Sequence, residues 1–269
     1  YYVCTDQGRF LDEAELSADE LLLHMADGRN GYSQPPDVED YERFFAEKLT
    51  EAQNVIHITM AKHASKGYYN ALEAAKSFEN VTVLDSGHLS SSMGLVVLYA
   101  ATMVENHATK ADVVKSVKRL RNYISSAFII DSTNMMCRSG RISKRIHVLC
   151  ESLLLHPIIM LRKSKMVVSG IRVGNFAHVA KSYVRSVLRD TRNIDRRVLF
   201  ITYSGMDEKS LQYIQNLVRQ YCPFERVYLQ KASSAIASNC GPRSFGLLFM
   251  KKNEAVISFS QASRPDVQG

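Results

Sequence analysis

Short apolar segments alternate with longer amphipathic ones through the first half of the chain, and this alternation constrains the fold more than any other feature. Residues 55–59 and 81–84 have the composition of buried strands, and each segment is followed by a stretch whose apolar residues have helical spacing. Strands joined by helices run parallel with right-handed crossovers, so the pattern predicts a parallel sheet. Ligands of such sheets bind beyond the carboxyl ends of the strands.

Two predicted helices of the first half begin with recognisable N-capping residues. Ser17 and Glu20 have the spacing of a capping box, and Asp37 follows two prolines as the expected N-cap of the next helix. The predicted helices of this half are 18–25, 38–52, 65–76, 91–107 and 111–125.

The pattern changes after residue 125, where strands become more frequent. The predicted strands are 128–130, 158–161, 166–173, 198–203, 226–230 and 244–250, and the longer helices are 177–188 and 209–221. A last apolar run follows at 255–259. The strands 158–161 and 166–173 flank a short turn and therefore pair. We predict an α/β protein of two domains: an N-terminal domain with a parallel sheet (1–125), a C-terminal domain with a mixed sheet (126–259), and a polar tail (260–269).

Composition excludes several classes of protein. The 269 residues are 46% apolar and 23% charged, which suits globular domains and excludes a wholly disordered or collagen-like chain. The longest apolar run, 95–104, is about half the roughly 20 residues that a membrane-spanning helix needs, so no span is predicted. Five scattered cysteines without a CxxC pair favour a cytoplasmic location and disfavour a disulfide framework, and no metal or cofactor is predicted.

Hydroxyl and amide residues stand where helices of the first half begin, and such positions bind anions because free backbone N–H groups point at them. The three junctions are Tyr32-Ser33-Gln34-Pro35, His63-Ala64-Ser65-Lys66-Gly67, and Asp85-Ser86 through Ser90-Ser91-Ser92. The same residues equally suit simple N-caps. In the second half, Arg141 suits either a carboxylate or phosphate contact or a surface ion pair.

Taken in order, five motifs resemble those of the DegV family of bacterial lipid-binding proteins. They are Tyr32-Ser33-Gln34-Pro35-Pro36, Ala61-Lys62-His63-Ala64-Ser65-Lys66-Gly67-Tyr68, Asp85-Ser86 with Ser92-Met93-Gly94, Ser139-Gly140-Arg141-Ile142-Ser143, and Asn239-Cys240-Gly241-Pro242-Arg243-Ser244-Phe245-Gly246. Order and spacing match from residue 32 to residue 251. The family's usual first strand, which ends in Asp-Ser, is expected before Tyr1.

The resemblance implies a two-domain, DegV-like fold that holds one long-chain fatty acid between its domains. It also implies a carrier without a complete active site, which presents the acyl carboxylate to a separate fatty acid kinase subunit for acyl-phosphate formation in phospholipid synthesis. The tail needs a long dry cavity, which the apolar segments 93–104 and 153–161 could line; ordinary core is the commoner role of such segments.

The resemblance places a ligand-binding set around the carboxylate. The set is Tyr32, Ser33, Gln34, Lys62, Ser65, Ser92, Arg141 and Asn239. Ser33 and Ser65 would donate hydroxyl hydrogen bonds and Arg141 would supply charge. The departures from the family pattern cluster here: Tyr32 replaces a Thr, Asn239 replaces a His, and Lys62, Lys66 and Arg243 add positive charge. We therefore expect a fatty acid or another acidic lipid, with a bulkier or more highly charged head group as one alternative.

Other functions remain open on the sequence. Ser65, His63 and Asp85 are the types of residue in a serine hydrolase that acts on acyl esters, although no GxSxG motif is present. Cys240 beside a polar turn suits either a low-pKa thiol or core filler. The basic run 110–121 suits a solvated face, transient contact with an anionic membrane, or a nucleic-acid-binding module; without a recognition motif, nucleic acid is not expected.

Overall fold

The protein is described by a computed structural model that covers residues 1–138, 140 and 142–252. Arg141, the apolar run 255–259 and the predicted tail 260–269 lie outside these described residues. Within them, no helix is both long enough and apolar enough to cross a membrane.

The first half contains two small sheets and five helices among the described residues. The elements in chain order are β1 (Tyr2–Thr5), β2 (Gly8–Leu11), α1 (Ala18–Ala26), β3 (Gly31–Gln34), α2 (Val38–Glu51), β4 (Val55–Thr59), α3 (Gly67–Ala74), β5 (Val81–Asp85), α4 (Ser90–Glu105) and α5 (Lys110–Leu120). Strands β4 and β5 pair in parallel, as predicted. The antiparallel sheet β2-β1-β3 was not predicted, because its strands have only four residues each and lack a clear alternation of apolar and polar side chains.

The second half is built on one mixed sheet, which confirms the predicted α/β class. Its elements are β6 (Ile124–Ile129), α6 (Asn134–Arg138), α7 (Lys144–Ser152), β7 (Leu155–Arg162), β8 (Lys165–Val173), α8 (Phe176–Val187), β9 (Ile194–Ser204), α9 (Glu208–Tyr221), β10 (Arg226–Lys231), α10 (Ser234–Cys240) and β11 (Ser244–Lys251). The six strands have the order β10-β9-β11-β6-β7-β8, and only β10 and β9 pair in parallel. The domain boundary near residue 125 stays a prediction.

Helices pack on both faces of this sheet. Helices α8 and α9 cover one face, where the fully buried Tyr183 donates a hydrogen bond to the Ala127 carbonyl at 2.6 Å and accepts one from the Leu247 N–H at 3.2 Å. Helices α4 and α5 cover part of the other face, where Val96 and Val117 are fully buried. The rest of that second face is not covered by α4 and α5, and it borders the candidate site.

The N-terminal antiparallel sheet is fastened to the second half by polar contacts at its edge. Asp12 accepts hydrogen bonds from the Ser234 hydroxyl (2.7 Å) and the Ala235 N–H (2.8 Å) at the start of α10. Arg138 on α6 donates to the carbonyl oxygens of Met25 (2.9 Å) and Gly28 (2.7 Å) at the end of α1. The Arg138 guanidinium thereby connects the end of α1 to α6 and joins the two halves of the chain.

Candidate functional site

A cavity of about 610 Å³ lies between the open part of the large sheet and the helix starts of the first half. This volume is within the range of roughly 300–1,000 Å³ found for ligand pockets. Most of its wall is apolar, contributed by Met60, Leu89, Phe128, Ile130, Met136, Ile142, Ile159, Leu161, Met166, Val167, Val168, Ile236 and Phe245. An apolar wall of this kind favours a hydrocarbon over water.

Only one of the two apolar segments considered for the cavity wall contributes to it. Ile159 and Leu161 on β7 line the cavity, as expected for part of 153–161. Residues 93–104 do not line the cavity, because α4 buries Val96 and Met103 in the core between α5 and the sheet. The apolar run of α4 is therefore ordinary core.

Hydroxyl groups gather on the first-half wall of the cavity, around Ser65. The Ser65 Oγ accepts hydrogen bonds from the Tyr1 hydroxyl at 2.5 Å and from the Gly67 N–H at 3.0 Å. These two bonds use the acceptor capacity of the oxygen, so the Ser65 proton is left for a further acceptor. Within the described ranges no protein acceptor is recorded for that proton. The group can therefore donate to an anion in the cavity.

Local backbone geometry explains why Tyr1 reaches Ser65. Gly67 is the first residue of α3, and a Cβ at this position would lie 2.8 Å from the Tyr1 hydroxyl oxygen and 3.0 Å from that of Tyr41. Both distances are shorter than an ordinary van der Waals contact, so glycine is needed for the approach. Burial raises the pKa of the Tyr1 phenol, which keeps this hydroxyl protonated and able to donate.

A second polar pair, Ser33 and Asn239, lines the cavity and joins the two halves of the chain. The Asn239 side-chain amide donates to the Ser33 hydroxyl oxygen at 3.2 Å and to the Ala235 carbonyl at 2.9 Å. Helix α10 presents Asn239, and its start is held by Asp12 and Glu13 from the first half. Because the Ser33 oxygen serves as an acceptor in this bond, its own O–H can donate to a ligand in the cavity.

The structure brings three of the eight sequence-predicted ligand residues to the cavity wall: Ser33, Ser65 and Asn239. Tyr32 is 58% exposed and alternates with Ser33 along β3, so the two side chains leave opposite faces of the strand. Gln34 accepts a hydrogen bond from the Cys4 thiol at 3.2 Å.

The remaining predicted residues have other positions. Ser92 lies in the first turn of α4 and is buried against β6, where its hydroxyl contacts that of Ser126 at 3.0 Å. The Lys62 side chain is not part of the cavity wall, whereas its backbone N–H donates to Asp85 at 3.2 Å. Arg141 lies outside the described residues.

Only one of the three additional cations lines the cavity. Lys66 is exposed and contributes to its wall. Arg243 is instead paired with Asp131, at 3.2 Å between Nε and Oδ2, and lies 4.7 Å from the centre of the Phe176 ring. The expectation that Lys62, Lys66 and Arg243 all add charge at the mouth therefore holds for Lys66 alone.

Tyr1 and Phe128 are cavity residues that the sequence reasoning missed. Tyr1 stands outside every motif, and its partner Ser65 is 64 residues away, so no local signal identifies it. Phe128 was assigned to a strand, and β6 has the pattern of an ordinary core strand apart from this one half-buried side chain.

The residues of the hydrolase alternative do not form a catalytic unit in the part of the chain that the structure describes. Asp85 accepts hydrogen bonds from the Ser164 hydroxyl (2.9 Å) and the Gly87 N–H (2.8 Å), while His63 is exposed and makes no recorded bond to Ser65. Burial raises the pKa of the Cys240 thiol to about 11, the opposite of the shift that activates a nucleophile. Among the described residues, no group of three His, Cys, Asp or Glu side chains is placed to hold a metal.

Comparison with known proteins connects this geometry to one family. A family model described as an uncharacterised protein of the DegV family matches residues 2–252. A DegV domain-containing protein of Caldanaerobacter subterraneus is 22% identical over 253 residues, which are 92% of this chain and 88% of that protein. A DegV domain-containing protein of Staphylococcus aureus is 24% identical over 136 residues, 50% of this chain and 49% of that protein. The chain thus spans about half the length of this Staphylococcus relative.

Solved structures share the fold at low sequence identity. A DegV family protein from Thermus thermophilus, described by its fatty acid binding, has a TM-score of 0.80 at 24% identity, with 93% of this chain and 90% of that chain covered. A DegV family protein from Eubacterium eligens, loaded with heptadecanoic acid, has a TM-score of 0.80 at 16% identity, with 93% and 91% covered. The Streptococcus pneumoniae fatty acid kinase (Fak) B3 protein, loaded with linoleic acid, has a TM-score of 0.79 at 14% identity, with 93% and 89% covered.

Proposed function

The chain belongs to the DegV family, and from that premise we propose that it is a carrier of a long-chain fatty acid. The tail would lie along the apolar face of the large sheet, and the carboxylate would accept hydrogen bonds from Ser65 and Ser33. The observation that carries this proposal is a cavity that is apolar over most of its wall and has hydroxyl donors gathered at Ser65 and Ser33. Relatives of the same fold hold heptadecanoic and linoleic acids.

The energetics suit a ligand of this class. A tail of about fourteen methylenes gains on the order of 11 kcal/mol from burial at about 0.8 kcal/mol per methylene, before the cost of association is subtracted. A buried carboxylate must be hydrogen-bonded, and hydrogen bonds to a charged group contribute about 1.5–3 kcal/mol. The apolar wall would thus supply most of the affinity, and the two hydroxyls would fix the orientation of the acid.

The bound carboxylate would be presented to a partner kinase, which would supply ATP and form the acyl phosphate. This chain would then act as a carrier and the phosphoryl-transfer chemistry would belong to the kinase. Lys66 is exposed at the cavity wall, where its charge would attract the fatty acid carboxylate or a bulkier, more highly charged acidic head group. Uptake of acids with different head groups by the Lys66→Gly variant, compared with the unchanged protein, distinguishes these ligands.

One exposed surface supports transient contact with an anionic membrane during lipid exchange. Helix α7 buries none of its residues, and it packs on β7, the neighbour of the edge strand β8. The exposed apolar side chains on α7 and β8 include Ile146, Val148, Leu149, Ile171 and Val173. Lys144, Arg145, Lys165 and Arg172 lie on the same two elements, and a mixture of apolar and basic side chains is typical of membrane-surface contact. Sedimentation with vesicles that contain anionic lipid tests this, with neutral vesicles as the control.

Two assays on delipidated protein test the proposed function. Isotope-labelled hexadecanoic acid should bind with one molecule per chain, and addition of ATP with a fatty acid kinase ATP-binding subunit should yield acyl phosphate, which hydroxylamine traps. A serine hydrolase would instead cleave acyl esters without ATP and would react with a serine-directed probe. A nucleic-acid-binding module would bind DNA with a steep salt dependence and no lipid. Either of these results without fatty acid uptake would contradict the proposal.

A further inference from the structure

The side chain of Phe128 stands apart from the rest of strand β6. Every other residue of this strand is buried, whereas Phe128 is half-buried and lines the cavity. Its position is central in the sheet, since β6 lies between β11 and β7. The ring therefore faces the space that the acyl tail would occupy rather than the packed core.

A glycine on the neighbouring strand determines how the ring lies. Gly246 on β11 is the direct antiparallel partner of Phe128. A Cβ on Gly246 would lie 2.5 Å from the Phe128 Cδ1 and 2.8 Å from its Cε1, far inside a normal carbon–carbon contact. The ring thus rests directly on the backbone of Gly246. An aromatic ring that covers a cross-strand glycine is a known way of packing a sheet surface.

Phe128 and Gly246 belong to a row of paired residues that continues onto the next strand on each side. Thr202 on β9 is the partner of Gly246 on its other side, and the Thr202 hydroxyl is hydrogen-bonded to that of Ser91 at 2.8 Å. Ile159 on β7 is the partner of Phe128 away from Gly246. Both neighbours also line the cavity, so the row forms a continuous floor in which the ring fills the place above the glycine.

We propose that Phe128, seated on Gly246, is a specificity-determining residue that limits the length and bulk of the acyl chain. This inference rests on the proposed function and adds to it the residue pair that selects among fatty acids. While the Phe128 ring lies flat on Gly246, the cavity above the sheet stays open. A ring raised off the sheet would occupy part of that cavity. The pair therefore sets the depth of the cavity.

Two substitutions change this depth in opposite directions. Phe128→Ala removes the ring and opens the floor, so the variant should take up longer chains. Gly246→Ala pushes the ring off the sheet, so the variant should take up shorter ones. Each additional buried methylene strengthens binding about fourfold, and a shift of two carbons therefore changes relative affinity roughly fifteenfold.

The test offers each purified, delipidated protein an equimolar mixture of saturated fatty acids with about 12 to 22 carbons and measures the bound acids by native mass spectrometry. Phe128→Ala should shift the bound distribution by about two carbons toward longer acids. Gly246→Ala should shift it toward shorter acids, and the double variant should return to the longer distribution, because the ring through which Gly246 acts is gone. Phe44→Ala, which removes an aromatic ring away from the cavity, serves as the matched control and should leave the distribution unchanged.

The outcomes separate this inference from the function on which it depends. If the unchanged protein and Phe128→Ala both bind one acid with the same chain-length distribution, the inference is wrong while the carrier function stands. If none of the proteins binds any acid, the carrier function fails and the inference fails with it. The new Cβ of Gly246→Ala would also lie 2.9 Å from the Ala127 carbonyl oxygen, and this variant can fail to fold for that reason. The Phe128→Ala result therefore decides whether the inference holds.

Discussion

Removal of the Ser65 hydroxyl should weaken fatty acid binding without closing the cavity. In the free protein its oxygen accepts from the Tyr1 hydroxyl and the Gly67 N–H, so only its proton is available to a carboxylate. A hydrogen bond to a charged group contributes about 1.5–3 kcal/mol, which corresponds to about ten- to 150-fold in affinity. Ser65→Ala should therefore raise the dissociation constant for hexadecanoic acid by this factor, because the apolar contacts of the tail remain.

The same substitution also removes the partner of two buried donors, and this effect must be separated from binding. Loss of the acceptor for Tyr1 and Gly67 should lower the free energy of unfolding by about 1–2 kcal/mol. Ser17→Ala is a matched control, since Ser17 accepts from the Glu20 N–H as the N-cap of α1 and its loss costs about 1 kcal/mol. Ser17→Ala should therefore lose similar stability and keep full affinity for fatty acid.

Isothermal titration with hexadecanoic acid at one pH and salt concentration, together with chemical denaturation, measures both quantities for the three proteins. An affinity of Ser65→Ala within twofold of the unchanged protein would refute the assignment of the carboxylate to this hydroxyl. A parallel loss of affinity in Ser17→Ala would show that the effect follows from stability instead.

Three further predictions follow from the packing around the site. Gly67→Ala should displace Tyr1 from Ser65 and weaken fatty acid binding about threefold to tenfold, measured by the same titration. Burial lowers the pKa of His57 to about 4, so below about pH 6.5 the unfolded chain binds a proton that the folded chain does not. The free energy of unfolding should therefore fall by about 1–3 kcal/mol between pH 6.5 and pH 4. His57→Phe should flatten this pH dependence in denaturation curves. Asp85→Ala should lower the free energy of unfolding by about 2–4 kcal/mol, because it removes the acceptor of Ser164 and Arg121.

Each of these predictions has a result that would count against it. Unchanged affinity in Gly67→Ala would mean that Tyr1 does not position Ser65. A pH dependence in His57→Phe equal to that of the unchanged protein would assign the acid sensitivity to other groups, such as the buried His88, whose pKa burial also lowers. For Asp85, the control is Asp27→Ala, which removes an exposed pair with Arg29 and should cost less than 0.5 kcal/mol; an equal loss in both variants would show that Asp85 has no special role.

The sequence predicts helices and strands well where neighbouring residues determine them. The capping box of Ser17 and Glu20 and the N-cap at Asp37 are both present, and the parallel pair β4 and β5 follows from the alternation of strands with helices. The short strands β2 and β3 were missed, because backbone pairing with β1 and contacts with the second half determine them rather than their own side chains.

The candidate site could be predicted only in part, for the same physical reason. Motif comparison identified Ser33, Ser65 and Asn239, but the contact between Ser33 and Asn239 spans 206 residues, and no local pattern encodes it. The contact between Phe128 and Gly246 likewise follows only from the pairing of β6 with β11, which the sequence does not reveal. The sequence could not distinguish Ser92, which stabilises the contact of α4 with the sheet, from a residue that faces the ligand.

Native mass spectrometry of the gently purified protein, followed by lipid extraction, tests most directly whether the space above the sheet holds a hydrocarbon chain. We predict an added mass of one long-chain acid per chain, lost on extraction and regained when hexadecanoic acid is supplied. A protein that carries no such mass and takes up no added acid, although folded, would contradict the assignment of this cavity to fatty acid transport.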